Sequence, residues 1–535
     1  MKLDVHSLKR SFLPSTATVW RYLIASLTLS LPLLAAGCVR PDPEVNAVTP
    51  GPVMVEETSQ GVEAAPTPTR FLPPTAIVQR SRTPLPTYQG TPTPDPTRSE
   101  AGPGSEGYGS HTVAVGETLG YIAQIYGTTV EELVQLNDLA NSDILDVDQV
   151  LRVPDAAAQT GPSFKIIPDS ELVYGPALRG FDSAAAVAEY GGYLLSYSSE
   201  VEGRNLTGTQ IVQLVADRQS VSPRLLLALI EYLTGWVTHP SSATTDFALG
   251  YTKTGYENLY QQLTWAANLL NLGYYGRSEG GLSTFQVGND RRLSFAADIN
   301  DGTAGLQLFF GAISEANYDK WLADVGPDGV FAAYSHLFGN PFAYTVEPLV
   351  PDDLVQPALK LPWAPGETWY LTGGPHGAWA SGSAWAALDF APPHDQLGCY
   401  QSDAWVTAMA DGVVTRSDAG AVVTDLDGDG FAGTGWSITY MHVEARDRVP
   451  VGSIVQTGDA LGHPSCEGGF SNGTHVHIAR AYNGRWISAD GLTPFTMSGW
   501  LCQGLGREYD GLLIKGDQVK EACECREEGN AIRAD

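Results

Sequence analysis

The sequence predicts a multidomain protein with a small α/β module, an all-α middle domain and a C-terminal antiparallel all-β domain. Length is the first observation behind this: 535 residues exceed one domain when a domain takes about 100–200. Composition is the second, since 43% hydrophobic against 17% charged residues supplies apolar material for real cores. The third is a change of apolar period along the chain. It is mixed over 110–155, helical over 163–355 and made of short β-type runs from 361 onward. The balance of 31 Lys+Arg against 60 Asp+Glu, a net charge of −29, repels phosphate backbones and argues against nucleic acid as a partner.

Residues 1–38 read as an export signal. Lys2, Lys9, Arg10 and Arg21 precede an apolar run from Tyr22 to Ala36, too short to span a hydrocarbon core of about 30 Å comfortably. Leu34-Ala35-Ala36-Gly37-Cys38 resembles a bacterial lipobox, with Ala35 where leucine is usual. That resemblance implies lipidation at Cys38 and an extracytoplasmic protein, lipid-anchored to a bacterial membrane and facing the cell wall. Residues 39–109 hold Pro66-Thr67-Pro68-Thr69 and Thr91-Pro92-Thr93-Pro94-Asp95-Pro96. This Pro/Thr-rich composition cannot bury a core and predicts a disordered linker.

Residues 110–155 read as strand, helix, helix, strand. Thr112-Val113 opens a strand, Thr118-Leu119 enters a helix that closes at Tyr126-Gly127, and Thr128 or Thr129 caps a second helix. Val130, Leu133 and Leu136 line one face of it, Asn137 ends it, and the chain returns as a strand to Pro154. This order resembles a LysM domain, with Asp148 where the family has glycine. The resemblance implies binding to N-acetylglucosamine-containing glycan such as peptidoglycan.

Over 163–355, helical spacing of apolar residues predicts helices at 183–196, 209–217, 223–233, 256–272, 303–315 and 328–338. Ser222-Pro223 is a start signal, Ser as cap and Pro at the first helical position. The stretch Val221 to Trp236 resembles the first catalytic helix of lysozyme-like lytic transglycosylases, where a glutamic acid precedes a Ser-Gly pair. Here Leu233 precedes Thr234-Gly235. Glu231 lies two residues earlier, about 200° around the helix, so the acid a glycosidase needs is missing from its place. The expectation is a degenerate lysozyme-like domain used for spacing or glycan binding; the alternatives are an active transglycosylase using Glu231 and an unrelated helical domain.

Six of ten histidines fall after residue 370, among short β-type runs at 385–390, 405–410, 412–416, 421–425, 436–442, 453–456, 475–481 and 485–487. Gly373-Gly374-Pro375-His376 precedes Asp389 by thirteen residues; Tyr440-Met441-His442 and Thr474-His475-Val476-His477 follow. On a strand, residues i and i+2 share a face, so His475 and His477 project together. His, Asp and His from separate segments are the donors of a catalytic zinc site with a fourth position open.

These motifs, with Ala410-Asp411-Gly412-Val413-Val414, Gly458-Asp459-Ala460-Leu461-Gly462 and Cys466-Glu467-Gly468-Gly469, resemble the lysostaphin-type (LytM) peptidoglycan endopeptidases over 361–500. Within them they resemble the β-lytic and staphylolytic branch, whose first His precedes Asp by a long interval. The compact spacing would put Trp385, which binds no zinc, in that place. The resemblance implies one zinc ion held by His376, Asp389 and His477, with His442 and His475 as the catalytic pair. It implies a cell-wall hydrolase cutting peptide crosslinks of peptidoglycan; the alternative is a non-catalytic peptidoglycan-binding scaffold or hydrolase activator. His394 and His463 are read as structural or solvent-facing.

With Cys38 set aside, five cysteines remain, so one thiol stays unpaired within the chain. Cys399 with Cys466 is the first expected bridge and Cys502 with Cys523 or Cys525 the second; Cys523 and Cys525 as a metal clip is the weaker alternative. These lie in 361–500 and in a Cys-containing extension, 501–535. Asp425-Leu426-Asp427-Gly428-Asp429-Gly430 looks like the start of a calcium loop, but Trp436 stands where the twelfth-position Glu belongs. An acidic hairpin turn is the favoured reading and calcium the disfavoured one.

Overall fold

The computed structural model describes residues 108–535 except 114–117, 127, 138, 140–144, 146–148, 155–158, 243–245, 289–290, 316, 395, 397 and 470. The leader, Cys38, nearly all of the 39–109 linker and Asp148 therefore lie outside the described residues. Among the described residues no helix is long and apolar enough to cross a membrane.

The small module has the expected order: β1 (Tyr108–Thr112), α1 (Leu119–Ile125), α2 (Val130–Leu136) and β2 (Val150–Pro154), with β1 and β2 antiparallel. Thr129 is the cap that forms, its hydroxyl accepting from the Glu132 N–H, and Asn137 closes α2. Val113, Leu119, Ile122, Ala123, Leu133, Leu151 and Val153 make its core. The side chain of Asn137 also donates to the Arg152 carbonyl at 2.8 Å, tying the second helix to the returning strand.

In the middle region the principal helices are α3 (Gly208–Gln219), α4 (Pro223–Thr234), α5 (Leu259–Ser278), α6 (Asp301–Ile313) and α7 (Val330–Phe338). The Ser222 hydroxyl caps α4 as expected. Every residue of α4 from Pro223 to Ile230 is buried, the mark of an interior helix. The expected helix over 183–196 stops at Ala188; a 3-10 turn, Tyr193–Leu195, follows the Gly191-Gly192 pair. The domain is not purely helical. Ser198–Val201 pairs with Arg204–Thr207, and Thr284–Val287 with Arg291–Ser294; these strands of four residues are too short for alternation to reveal.

The β domain is built on one antiparallel sheet. Its strands are β3 (Thr368–His376), β4 (Ala387–Ala391), β5 (Gly412–Asp418), β6 (Ala421–Asp425), β7 (Trp436–Met441), β8 (Ile454–Val455), β9 (Val476–Tyr482) and β10 (Ala531–Arg533), in the spatial order β8-β5-β6-β7-β9-β4-β3-β10, and Arg485–Trp486 pairs with β9 off this order. Leu388, Phe390, Tyr440 and Ile478 point from one face into a core with Trp363, Trp369 and Phe495. By the period of two, Ala387, Ala479 and Ala481 point from the other face, where they join the core of the helical domain. That second face also carries Asp389 and His477.

Residues 501–535 continue the β domain: Trp500–Gly504, Gly511–Lys515 and Gln518–Glu521 form a meander, and β10 returns to pair with β3. Cys399 is bridged to Cys466 as expected. The second expected bridge is not formed: Cys523 pairs with Cys525, which removes the metal-clip alternative, and Cys502 is free. The Cys502 side chain points into the core at 2% exposure, whereas Cys523 lies at the surface, so the two thiols cannot meet. The acidic segment joins β6 to β7 as a hairpin connection. Its carboxylates accept from its own backbone, Asp425 from Asp427 and Gly430 N–H and Asp429 from Phe431 N–H.

Candidate metal centre

Adjacent strands bring the three expected ligands together. His376 ends β3, Asp389 is central in β4 and His477 lies opposite Asp389 in β9. His376 Nε2 is 2.9 Å from His477 Nδ1 and 3.3 Å from Asp389 Oδ1, and His477 Nδ1 is 3.2 Å from the same oxygen. All three residues are buried. Gly373 pairs with Asp389, and a Cβ there would sit 2.8 Å from Asp389 Oδ2; the glycine leaves room for the carboxylate.

The donor set fits zinc. His376 Nδ1 donates to the Gly374 carbonyl at 2.8 Å and His477 Nε2 to the Ala378 carbonyl at 2.9 Å. Since a carbonyl cannot donate, these bonds fix each tautomer, and the two facing ring nitrogens present lone pairs. Asp389 Oδ1 is buried with no hydrogen-bond partner. Three acceptors thus converge on one point with no hydrogen among them, an arrangement that a cation resolves. A tetrahedral ion with bonds of about 2.0–2.1 Å spaces its ligands by about 3.3–3.4 Å, close to the distances found.

The electrostatics point the same way. Burial pushes the Asp389 carboxyl up, yet His376 and His475 outweigh it and hold the group well below the usual carboxylate range. Burial pulls His376 down, but Asp389 opposes this and its pKa ends raised. The centre therefore favours positive charge.

His442 and His475 stand beside the three expected ligands, their ring centroids 4.4 Å apart. His442 follows β7 with φ +62°, and its Nδ1 donates to the Glu467 carbonyl at 3.0 Å. Burial, reinforced by the facing His475 and His477, lowers its pKa to about 3, so it is a neutral imidazole. His475 Nδ1 donates to the Gly473 carbonyl at 2.7 Å and its Nε2 lies 3.6 Å from Asp389 Oδ1. Each of these four histidines thus has one ring nitrogen held by a backbone carbonyl.

Sequence reasoning missed Tyr509, whose ring stacks on His376 at 4.3 Å, and Glu508, which accepts from the Gly377 N–H. Both come from the turn between Trp500–Gly504 and Gly511–Lys515, in a segment read only as an extension. His463 is buried against Trp405 and donates to the Ala404 carbonyl, and His394 stacks on Tyr400; neither joins the site. Glu231 serves the local backbone, its carboxylate accepting from the Val237 and Thr238 N–H groups and the Thr238 hydroxyl.

Fold and site together define a two-histidine, one-carboxylate centre on an antiparallel sheet. Residues 165–350 match the family model described as "LasA, N-terminal domain", and residues 111–154 the one described as "LysM domain". The LysM expectation holds. For the middle domain the match is to the LasA N-terminal domain, a family the sequence reading did not name. Protease LasA of Pseudomonas aeruginosa, from strains UCBPP-PA14 and PAO1, is 25% identical over 294 residues, 51% of this chain. The chain covers 66% of that relative's length, just under two thirds. Similar solved structures include "A Novel M23 Metalloprotease Pseudoalterin from Deep-sea", at 27% identity and TM-score 0.27, over 31% of this chain and 96% of that one. The catalytic domain of lysostaphin from Staphylococcus simulans is 20% identical at TM-score 0.17, over 23% and 89%.

Proposed function

We propose that the protein is an exported cell-wall hydrolase, a zinc-dependent endopeptidase that cuts peptide crosslinks of peptidoglycan and is held to glycan by its LysM module. The observation that carries this reading is the convergence of three ligand atoms, with each histidine held from behind by a backbone carbonyl, beside two further histidines. Homology to a protease and the presence of a LysM domain support the substrate class. Lipidation at Cys38 and the 39–109 linker would keep the folded part near a membrane and within reach of the wall.

Zinc held by His376, Asp389 and His477 would supply a Lewis acid for a peptide carbonyl and bring a water's pKa near 7. His442, neutral through burial, would take the proton that the attacking water loses, at the nitrogen that Glu467 leaves free, and return it to the leaving amine as the C–N bond breaks. His475, with Nδ1 tied to Gly473, meets the negative charge that develops on the substrate oxygen through its other nitrogen when that nitrogen also carries a proton. The backbone bonds hold both rings in place before substrate arrives, so neither has to reorganise during the reaction.

The test is release of new amino groups from purified peptidoglycan by the zinc-loaded protein, beside His477→Ala. Release by the wild type alone is expected, and the fragment masses would name the bond. Equal silence of both proteins, on walls of differing crosslink chemistry, would replace this reading with that of a wall-binding scaffold.

A further inference from the structure

The loop of residues 377–386 leaves β3 directly after His376 and enters β4 two residues before Asp389. Its sequence, Gly-Ala-Trp-Ala-Ser-Gly-Ser-Ala-Trp-Ala, is mostly small residues without a period, which cannot order themselves against the entropy of a free loop. Yet the carbonyl of Ala378 in this loop holds His477 Nε2 at 2.9 Å. What orders the loop lies in the helical domain. Asn268, on α5, accepts from the Gly382 N–H at 2.7 Å and donates to the Ser381 hydroxyl at 3.4 Å. A Cβ on Gly382 would come within 2.0 Å of the Asn268 carbonyl, so loop and helix are in direct backbone contact.

Trp379 packs against the helical core. The guanidinium of Arg218, from α3, lies 5.8 Å from its ring centre, and that of Arg416, from β5, 4.9 Å. Arg218 is itself fixed by two bonds of 2.7 Å to Glu202. Inside the loop, Ala378 N–H donates to the Ala384 carbonyl at 3.0 Å and Trp379 N–H to the Ser383 hydroxyl at 3.2 Å. A shift at Gly382 or Trp379 therefore reaches Ala378 through a short bonded path.

We propose that Trp379 and Asn268 are positioning residues for the metal centre: the helical domain grips the 377–386 loop, and the loop's Ala378 carbonyl sets the orientation of the His477 ring. The inference rests on the metal-binding reading of the site. A partner on the far ring nitrogen governs how well a histidine serves as ligand, and losing such a partner costs about 10–100-fold in metal affinity. The helical domain is thereby part of the metal centre without touching it.

The test uses the full chain, stripped of metal and titrated with Co²⁺ against a competing chelator, with the visible spectrum of the bound cobalt as a second readout. Asn268→Ala and Trp379→Ala should each weaken cobalt binding about tenfold and alter the spectrum, and Trp379→Phe should recover part of the loss. Glu279→Gln is the control. Glu279 meets Arg485 and Ser488 across the same pair of domains but does not touch the loop, and its variant should bind cobalt as the wild type does. If Trp379→Ala fails to fold, Asn268→Ala, at a half-buried helix position, decides the matter. Unchanged affinity and spectrum in Asn268→Ala, or an equal loss in Glu279→Gln, would overturn the inference alone. A wild type that binds no cobalt would overturn it together with the metal-binding reading.

Discussion

His442 occupies a left-handed backbone conformation, φ +62°, that costs a non-glycine residue of order 1–3 kcal/mol. Several bonds enforce it: Ser465 donates to the His442 carbonyl from both N–H and hydroxyl, at 2.7 and 2.9 Å, while the ring is tied to Glu467. Strain of this kind aims a side chain where an ordinary strand end would not. His442→Ala and His442→Gly should both lack activity, but the glycine variant, free of the conformational penalty, should be more stable than the alanine one by about 1 kcal/mol. Urea unfolding midpoints of the two variants would measure this. The residue types of the site were legible in the sequence because His-x-His on a strand obeys a period of two. Tyr509 was not, since its place on His376 comes from a turn whose sequence says nothing of where it docks. The inward placement of Cys502 was not legible, since Trp500-Leu501-Cys502 is apolar throughout and only the fold shows Trp500 and Cys502 as the buried pair of that strand.

At the scale of elements, Glu171 joins a short helical turn to α4 and α7. Its carboxylate accepts from Arg224 at 2.8 Å and from the Tyr334 hydroxyl. Burial, outweighing Arg224 and Tyr334, raises its pKa to about 7 from an ordinary 4.5. The native state thus binds a proton between pH 4.5 and 7 that the unfolded chain has released. The stabilisation is complete below about pH 4.5 and is lost as pH rises through 7, a change of roughly 3 kcal/mol. Urea midpoints across that range should fall with pH more steeply for the wild type than for Glu171→Gln. Most strands of the β domain were visible from glycine-bounded runs, whereas β3 was hidden by Gly373-Gly374-Pro375. Its register with β4 shifts there, and those shifts, which let a glycine face Asp389, erase the alternation that would have revealed a strand.

For the whole molecule, the proposed function gives binding and cleavage to separate folded parts. Deleting residues 110–155 should lower retention on insoluble peptidoglycan by about 100-fold or more, the scale of a lost second attachment. Cleavage of a small soluble peptide should remain at the wild-type rate. Pull-down on purified wall, paired with a peptide assay, would separate the two effects, and a parallel loss in both would contradict the division. Domain order was legible because each part has its own apolar period. What no local pattern could announce is how the helical and β domains depend on one another. Asn268 and Gly382 are far apart in sequence, and neither is unusual until the fold brings them together.

The pairing of β10 with β3 has a temporal side. A ribosome makes β3, with His376 at its end, long before residues 531–533, so the strand bearing that histidine waits without its outer neighbour through most of the domain's synthesis. Trp369 and Tyr370, which lie opposite Ile532 and Ala531, gain that cover only when the last strand arrives. The sheet therefore gains its β10 edge only after His376, Asp389, His442, His475 and His477 have all been made.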